Sequence, residues 1–531
     1  MIDELLKKYA KCLWLVPALL MWSVFPPLME KANVLFALAP LMWLTRHPGE
    51  RGARGAAFIW WLNGFAYYLA TLSWMPAIVK NGGPWPLVAL GLVALSGYCS
   101  LYFAAYGYLA TKIWAWTKGR SYWWRIFMVL LAEPVLWAGL EIVRSRFGGG
   151  FAWNQLGVAA VNAGFGEPAA LGGVYILSMI IVMVNGSIAG IAERVFRNGG
   201  TALETLLPLA LIYGIYQLAA ANIKMPDGEP LNVALVQRNF PCVFSAKQEE
   251  DPEEAYSNLL ANVEYLKPDL VVLPESAMAE FGRIDGPSAE VFAASVRQQT
   301  GAELVLAGGN RAIKDQDGTL KLYNSAAIYG EETFAVYDKV HLVPFGEFIP
   351  GDKWIPWLQK WAPVGSCTPG ELKLLGDFGV AICYEDTDSA QMRRLAEMGA
   401  KALVFVTNDS WFGRSEETVQ HAWQAVARAI ETGLPIVRVG NSGVSGTVSP
   451  DGKATWMTDA KGRVITDRRG TMFDRIILAQ NEVGGHKTWY VRLGDKPIFI
   501  AFLLLITASI MVKYKIYLKD IPRRRNYGTD K

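Results

Sequence analysis

Long apolar runs fill the N-terminal part of the chain and constrain its fold more than any other feature. A transmembrane helix needs about 20 predominantly apolar residues, and about eight stretches approach that length. They lie near residues 12–28, 33–45, 56–78, 85–113, 126–143, 169–193, 202–221 and 497–512. We therefore expect an α-helical transmembrane bundle of about eight spans, with a long soluble segment before the last span.

Composition agrees with a membrane protein and excludes several other classes. Hydrophobic residues make up 52% of the 531 residues and charged residues only 19%, whereas average soluble domains contain about 25% charged residues. A net charge of +3 gives no reason to expect a nucleic-acid partner. Five scattered cysteines without C-x-x-C spacing, and only four histidines, argue against a disulfide framework or a metal site. We expect no metal and no cofactor.

The distribution of basic residues predicts the orientation of the bundle, because short loops rich in Lys and Arg stay in the cytoplasm. Two spans separate each of the first four basic clusters from the next, so all clusters fall on one side. Arg144 and Arg146, in a far-side loop, are exceptions. The clusters lie at residues 7–11, 46–54, 118–125, 194–197 and 513–525. Both termini are therefore expected in the cytoplasm, and residues 222–496 on the other side of the membrane.

The soluble segment has the pattern of an α/β domain. Short β-branched runs alternate with amphipathic stretches, which is typical of strands buried on both faces and connected by helices. Strands are predicted at 232–237, 269–273, 303–307, 378–383 and 402–407, a hairpin at 323–329 and 333–340, and helices at 252–266 and 389–398. We expect three parts: a bundle of seven spans at 1–222, a catalytic domain at 223–490, and the last span with its basic tail at 491–531.

Three predicted strand ends carry reactive side chains. Glu275 directly follows the apolar run V-V-L-P, Lys339 and Glu347 lie in Y-D-K-V-H-L-V-P-F-G-E, and Cys383 ends the run V-A-I-C. Taken singly, each has an ordinary alternative: a solvated loop carboxylate for Glu275, a surface ion pair for Lys339 and Glu347, and a small buried hydrophobe for Cys383. Taken together, they can converge on one point.

A glutamate, a lysine and a cysteine at one point form a nucleophilic site. A thiol is a weak nucleophile at its ordinary pKa and needs a base or a neighbouring cation to become a thiolate. Glu275 is the candidate base, and Lys339 the candidate cation. The backbone N–H of Tyr384, directly after Cys383, could join Lys339 in stabilising an oxyanion.

These motifs resemble those of the nitrilase superfamily, whose Glu-Lys-Cys triad corresponds to Glu275, Lys339 and Cys383. The resemblance continues through N-D-S-W-F-G at 408–413, residues 421–429, residues 438–446 and P-D-G at 450–452. It implies an α-β-β-α sandwich. Spans on both sides of the domain, together with a W-x-x-x-E-x-x-R block at residues 137–144, narrow the resemblance to its membrane-embedded branch, the apolipoprotein N-acyltransferase family. The chain departs from that family at Gln237, Arg238 and Asn239, where a glycine is usual in the middle. The tryptophan often found shortly afterwards is also absent, and Phe244 is an aromatic residue in that region.

The resemblance implies a two-step acyl transfer in a bacterial cytoplasmic (inner) membrane, with the catalytic domain on the periplasmic side. Cys383 would take an acyl chain from a phospholipid as a thioester. The α-amino group of the S-diacylglyceryl-cysteine of an apolipoprotein would then accept the chain as an amide. Glu275 would act as the base in both steps. Glu347, Tyr384 and Glu385 are expected to support the triad, although Glu347 and Glu385 could instead be ordinary buried ion-pair members.

Several aromatic residues are candidates for substrate contacts. Trp354 and Trp357 lie on one aromatic face of a segment at 352–361, which could be a lipid-facing lid or a packed core helix. Trp411 could line the acyl pocket or pack under the sheet, and Phe345 is a further candidate for substrate contacts. Likewise, Glu141 and Arg144 could line a substrate site or anchor a span end at the interface.

Two other functions fit parts of the sequence. A membrane-tethered amidase of the nitrilase type would use the same triad, with water replacing the amine. A membrane transporter or receptor with an inactive nitrilase domain would not need an intact triad. The direction in which Cys383 opens, toward the bilayer or toward bulk solvent, would separate acyl transfer from hydrolysis.

Overall fold

The computed structural model describes residues 15–197, 202–241, 250–351, 366–480 and 487–525. The predicted aromatic segment at 352–361, with Trp354 and Trp357, lies outside these residues, as does Phe244.

Long apolar helices make up most of the N-terminal part. In the described part of the chain, four helices are long and apolar enough to cross a membrane: Trp85–Thr117, Tyr122–Arg144, Ala169–Phe196 and Leu203–Asn222. The helix Gly52–Thr71 is 20 residues long and packs along Trp85–Thr117. After the soluble domain, the helix Lys496–Arg525 returns to pack against the end of Tyr122–Arg144. These helices support membrane association.

Within the residues that the structure describes, two predicted spans contain no helix of span length. The runs at 12–28 and 33–45 contain the helices Val16–Ser23 and Ala39–Arg46, each eight residues long. Eight residues rise about 12 Å, less than half of the roughly 30 Å hydrocarbon core. Pro26 and Pro27 follow the first helix closely, and proline cannot continue a helix. The prediction of eight spans is therefore not confirmed, and four helices are clear candidates.

One membrane helix is broken where it meets the soluble domain. In Ala169–Arg197, Gly172 and Gly173 leave the helical conformation, and Gly173 has φ +69°. The N–H of Val174, which restarts the helix, donates to Glu431 Oε1 at 2.8 Å. Glu431 belongs to the soluble domain, so this domain caps a membrane helix and fixes their relative position.

The soluble domain contains two sheets. Their strands are β1 Pro230–Gln237, β2 Leu270–Val272, β3 Leu304–Lys314, β4 Leu320–Tyr329, β5 Phe334–Asp338, β6 Phe378–Ile382, β7 Ala402–Thr407, β8 Ile436–Gly440, β9 Gly446–Val448, β10 Ala454–Trp456 and β11 Gly470–Ile477. The first sheet has the strand order β11-β1-β2-β3-β4-β5, and the second has the order β10-β9-β8-β7-β6. In the first sheet β1, β2 and β3 are parallel, while β4 and β5 form the predicted antiparallel hairpin.

Helices cover the outer faces of both sheets. Apolar side chains of the two inner faces, such as Leu235 and Val404, form one core between the sheets. The helices Pro252–Leu260 and Pro287–Thr300 pack on the first sheet. The helices Ser389–Glu397 and Glu417–Thr432 pack on the second. The predicted α-β-β-α sandwich is therefore confirmed.

The helix Glu417–Thr432 lies between the second sheet and the membrane helices. All of its residues are buried except Val419, which is partly exposed, because Leu156–Asn162 and Ala169–Arg197 cover the face that solvent would otherwise reach. Its charged side chains must consequently find partners inside the protein. The soluble domain thus rests directly on the bundle.

Candidate active site

The three predicted triad residues follow the ends of three strands in two different sheets. Glu275 lies just after β2, Lys339 directly after β5, and Cys383 directly after β6. The first two residues therefore come from the six-stranded sheet and the cysteine from the five-stranded sheet. The site lies where the two sheets meet, and all three side chains interact electrostatically.

A hydrogen-bonded chain connects Glu275 to Lys339. The side-chain amide of Asn324 donates to Glu275 Oε1 at 2.7 Å and to Glu347 Oε1 at 2.7 Å. Lys339 Nζ donates to the same Glu347 oxygen at 2.9 Å. Lys339 is 1% exposed, so this ammonium is shielded from bulk solvent.

Glu347 is oriented by its own loop. Its second oxygen accepts the N–H of Val343 at 2.7 Å, and its carbonyl accepts the N–H of Cys367 at 2.8 Å. Burial alone would raise the pKa of Glu347, but Lys339 and the Asn324 hydrogen bond outweigh burial and lower it. Glu347 is therefore a fixed carboxylate that is hydrogen-bonded to Lys339.

Cys383 has a backbone conformation that side chains rarely adopt. Its φ is +54°, in the left-handed region, which is uncommon for residues other than glycine. It starts the short 3₁₀ turn Cys383–Thr387, so the chain bends sharply just after β6. Such strained residues are concentrated at active sites. The thiol lies within hydrogen-bonding reach of the Thr407 hydroxyl at the end of β7.

The electrostatics keep the thiol protonated at rest and provide a base for it. Burial and the Glu275 carboxylate raise the pKa of Cys383 well above its ordinary value, while Lys339 acts in the opposite direction. Burial also raises the pKa of Glu275, only partly offset by Lys339. Burial would lower the pKa of Lys339, but Glu347, Cys383 and Glu275 raise it instead. Proton transfer from Cys383 to Glu275 would leave a thiolate beside a permanent ammonium.

Glu385 connects the segment that follows β5, which contains Lys339 and is called the lysine segment here, to the turn Cys383–Thr387. Its Oε1 accepts the N–H groups of Val340 and His341 at 2.8 and 3.0 Å, and the Tyr337 hydroxyl at 2.9 Å. Its Oε2 accepts the N–H of Ile382 at 2.9 Å. The side chain is fully buried, and its four partners fix the residues beside Lys339 relative to those beside Cys383. Three of these partners are backbone N–H groups, so Glu385 acts mainly on the course of the main chain around Lys339 and Cys383.

Tyr384 contacts the membrane part of the chain. Its ring lies parallel to that of Trp153, with 6.4 Å between centroids and 5° between planes. Its hydroxyl reaches the carbonyl of Gly150 at 3.5 Å. Both partners follow the membrane helix Tyr122–Arg144, so the loop after this helix lies against the turn Cys383–Thr387, called the nucleophile turn below.

The two remaining described candidates for substrate contacts differ in exposure. The side chain of Phe345 is exposed (65%), and its φ is +62°, in the loop that holds Glu347. Trp411 is half-buried, and its carbonyl accepts the side-chain amide of Asn81 at 2.6 Å. Asn81 ends a 3₁₀ helix of the membrane part. Phe345 is thus available to an incoming molecule, whereas Trp411 lies at the contact between bundle and domain.

A fully buried ionic cluster lies behind Cys383. Arg438 donates to Asp386 at 2.6 Å and to Asp409 at 3.1 Å. The ring of His421 lies between the same two carboxylates, 3.0 Å from Asp386 and 2.9 Å from Asp409. Burial would lower the pKa of His421, but the two aspartates outweigh burial and raise it to about 10. Two cations therefore balance two carboxylates.

The same cluster contains a set of potential metal ligands. Ligand atoms of Asp409, Glu417 and His421 lie within 4.8 Å of one another. Burial and the nearby Asp409 raise the pKa of Glu417 well above its ordinary value, which favours a neutral carboxyl group. Asp409 already receives Arg438, His421 and the Thr407 hydroxyl. Protein cations thus satisfy the charge that a metal ion would otherwise balance.

Sequence reasoning missed Asn324 and gave no role to the cluster. Asn324 looks like an ordinary polar residue of a hairpin strand, and no local pattern marks it as a bridge between two carboxylates. The block with Glu141 and Arg144 was detected, and both residues are buried and line the same cavity of the bundle. Arg144 Nη1 donates to the carbonyls of Phe151 and Trp153 at 2.9 and 3.0 Å, so Arg144 shapes the loop beside Tyr384.

Comparison with known proteins agrees with this architecture. The family model for the apolipoprotein N-acyltransferase N-terminal domain matches residues 17–187, and the carbon-nitrogen hydrolase model matches residues 232–480. The apolipoprotein N-acyltransferase of Allorhizobium ampelinum is 31% identical over 491 residues, covering 84% of each chain. That of Geobacter metallireducens is 29% identical over 487 residues, covering 86% of this chain and 88% of the relative.

Among solved structures, the carbon-nitrogen hydrolase from Helicobacter pylori G27 is 18% identical, with a TM-score of 0.34, covering 47% of this chain and 89% of that chain. The relatives in sequence extend over both the bundle and the soluble domain. The relative from Allorhizobium ampelinum, above 30% identity over most of its length, decides the assignment. The chain belongs to the apolipoprotein N-acyltransferase family.

Proposed function

We propose that this enzyme transfers a fatty acyl chain from a phospholipid to the α-amino group of the N-terminal S-diacylglyceryl-cysteine of lipoproteins, through a thioester on Cys383. The observation that supports it most is that the buried Lys339 ammonium and the Glu275 carboxylate both act on the Cys383 thiol. This nucleophilic site is docked on a helix bundle, which brings it close to lipid substrates.

In the first step, Glu275 takes the thiol proton and the Cys383 sulfur attacks the ester carbonyl of the phospholipid. Lys339 and the backbone N–H of Tyr384 stabilise the oxyanion. When the tetrahedral intermediate collapses, the C–O bond breaks and Glu275 returns the proton to the leaving alkoxide. The products are the acyl-thioester and a lysophospholipid.

In the second step, the α-amino group of the lipoprotein attacks the thioester carbonyl. Glu275 accepts a proton from the nitrogen as the C–N bond forms. The C–S bond then breaks, and the proton returns to the Cys383 sulfur. A raised pKa suits Glu275 for this role, because it makes the carboxylate a stronger base toward the thiol and the incoming amine.

The proposed orientation does not depend on all eight spans. If Val16–Ser23 and Ala39–Arg46 enter the membrane and return without crossing it, two crossings are lost and the parity of the remaining spans is unchanged. The basic clusters then still lie on one side, which argues for cytoplasmic termini. We place the catalytic domain, residues 223–490, on the periplasmic side of the bacterial inner membrane, between the bundle of residues 1–222 and the last span.

Acyl transfer and hydrolysis can be distinguished by the acceptor. The full chain in phospholipid-containing micelles, given a synthetic S-diacylglyceryl-cysteine peptide, is expected to form the N-acyl peptide, measured by mass spectrometry. A peptide with an acetylated α-amino group is the matched control and should gain no acyl chain. Release of free fatty acid at the same rate with both peptides would identify a hydrolase and refute the transferase.

A further inference from the structure

His341 lies two residues after Lys339 and joins three parts of the molecule. Its Nε2 lies 3.0 Å from the carbonyl oxygen of Gly149, and its Nδ1 lies 3.6 Å from Asp388 Oδ2. Its backbone N–H donates to Glu385. The ring therefore connects the lysine segment to the loop after a membrane helix and to the residues after the nucleophile turn.

Both partners of the ring are acceptors. A carbonyl oxygen and a carboxylate each require a proton on the facing nitrogen, and neutral imidazole carries only one. The imidazolium form therefore suits both contacts at once, because Nε2–H donates to Gly149 and the positive ring attracts the Asp388 carboxylate 3.6 Å away. The side chain is 27% exposed, so protons can exchange with solvent.

Asp388 is held in place independently of His341. Its Oδ1 accepts the N–H groups of Ala390 and Gln391 at 2.9 and 3.2 Å, which caps the helix Ser389–Glu397. Its Oδ2 remains directed toward the imidazole. Asparagine is as good an N-cap as aspartate, so this position can lose its charge without losing the cap.

Gly149 lies in a loop that only glycine can form readily. Gly148, Gly149 and Gly150 have φ values of +66°, +94° and +73°. We call these three residues the glycine loop. It follows the membrane helix Tyr122–Arg144, and the hydroxyl of Tyr384 reaches the carbonyl of Gly150. One short loop of the bundle thus receives side chains from beside both Lys339 and Cys383.

We propose that protonated His341 is a positioning residue, which clamps the Lys339 segment and the turn after Cys383 against the glycine loop of the bundle. The rate of acyl transfer should then fall as His341 loses its proton. This inference rests on the proposed function, because the affected step is acyl transfer at Cys383.

The charged groups around the ring favour the clamped form. The hydrogen bond with Asp388 is the largest influence and raises the pKa of His341, burial lowers it, and Glu385 also raises it. Arg146, which lines the same cavity as Tyr175 and Tyr384, is paired with Asp495. The Tyr175 hydroxyl is hydrogen-bonded to Ser145.

The direction of the pH dependence follows from the raised pKa. A histidine whose pKa is higher in the folded protein contributes its full stabilisation below the unfolded value of about 6.5. That contribution is lost as the pH rises through the folded pKa. The clamp therefore predicts an alkaline decline in rate, and not an acidic one.

The test is the pH profile of thioester formation and of transfer to the peptide, for the full chain in phospholipid micelles. His341→Gln has a single amide nitrogen to donate and should lower the neutral-pH rate by between about tenfold and a hundredfold, as expected when catalytic groups are slightly misplaced. Asp388→Asn should flatten the alkaline decline, because the new amide can donate to Nδ1 of a neutral ring whose Nε2–H still reaches Gly149. Asp377→Asn, in an exposed ion pair with Lys401, is the control and should keep the wild-type profile.

The outcomes separate this inference from the proposed function. A flattened profile in Asp388→Asn with a normal thermal midpoint supports the clamp, and no purely structural role of Asp388 predicts it. Identical alkaline declines in the wild type, His341→Gln and Asp388→Asn would overturn the clamp. If the wild type forms no thioester at any pH, the proposed function fails instead.

Discussion

Replacing Lys339 with methionine is expected to reduce acyl transfer by about a hundredfold to a thousandfold, the usual loss when one oxyanion donor is removed. Methionine keeps the length of the side chain but removes the ammonium that stabilises both the thiolate and the oxyanion. Glu347 keeps the donors Asn324 and Val343, so its carboxylate stays satisfied and the fold should persist. The measurement is the rate of N-acyl peptide formation, with the thermal midpoint recorded in parallel.

Lys401→Met is the matched control for this substitution. Lys401 forms an ion pair with Asp377 at 2.9 Å, with its side chain 30% exposed, and exposed pairs contribute only about 0–1 kcal/mol. Its removal should change neither the rate nor the midpoint appreciably. Near-normal transfer by the Lys339 variant would remove this lysine from the catalytic mechanism.

Replacing Arg438 with methionine is expected to destabilise the folded chain by about 3–5 kcal/mol, the usual cost of breaking a buried ion pair by removing one partner. Arg438 is fully buried and donates to Asp386, Asp409 and the carbonyl of Val444. Without it, His421 is left as the counterion of both aspartates. Denaturant unfolding followed by tryptophan fluorescence measures the loss.

Arg463→Met provides the comparison, since Arg463 pairs with Asp459 on the surface, with its side chain 63% exposed. This variant should lose less than about 1 kcal/mol. If the two arginine variants unfold at the same denaturant concentration, the buried cluster does not stabilise the fold around the turn Cys383–Thr387.

The reactive residues of the site were predictable from sequence because each follows a strongly patterned strand. The apolar runs before Glu275 and Cys383 predict buried strands, and a reactive side chain directly after such a strand lies at a sheet edge. The hairpin that ends near Lys339 was also found, because two short strands close in sequence pair locally. The structure brings these three side chains together.

Other features depend on contacts that no local pattern records. Asn324 acts through Glu275 and Glu347, which come from other loops, so its position in a hairpin strand says nothing about its partners. The helix Glu417–Thr432 carries His421, Arg428 and other polar residues that would indicate a solvent-exposed face, yet the membrane bundle covers that face. Its polarity reflects internal ion pairs.

The predicted count of eight spans is not confirmed, for a related reason. Apolar composition near residues 12–28 and 33–45 predicts burial in an apolar environment, but it does not distinguish a crossing helix from a short helix packed against its neighbours. The closely spaced prolines near Pro26 were the available signal, because they limit helix length. Parity still supports the same orientation.

A fatty acyl thioester on Cys383 can be detected by intact-mass analysis of the full chain purified from phospholipid-loaded membranes. We expect a population of the wild type that is heavier by one fatty acyl group, which hydroxylamine removes at neutral pH. The Cys383→Ser variant should lack this hydroxylamine-sensitive population. Absence of the adduct from the wild type under these conditions, or an equally sensitive adduct on the serine variant, would refute the thioester on Cys383.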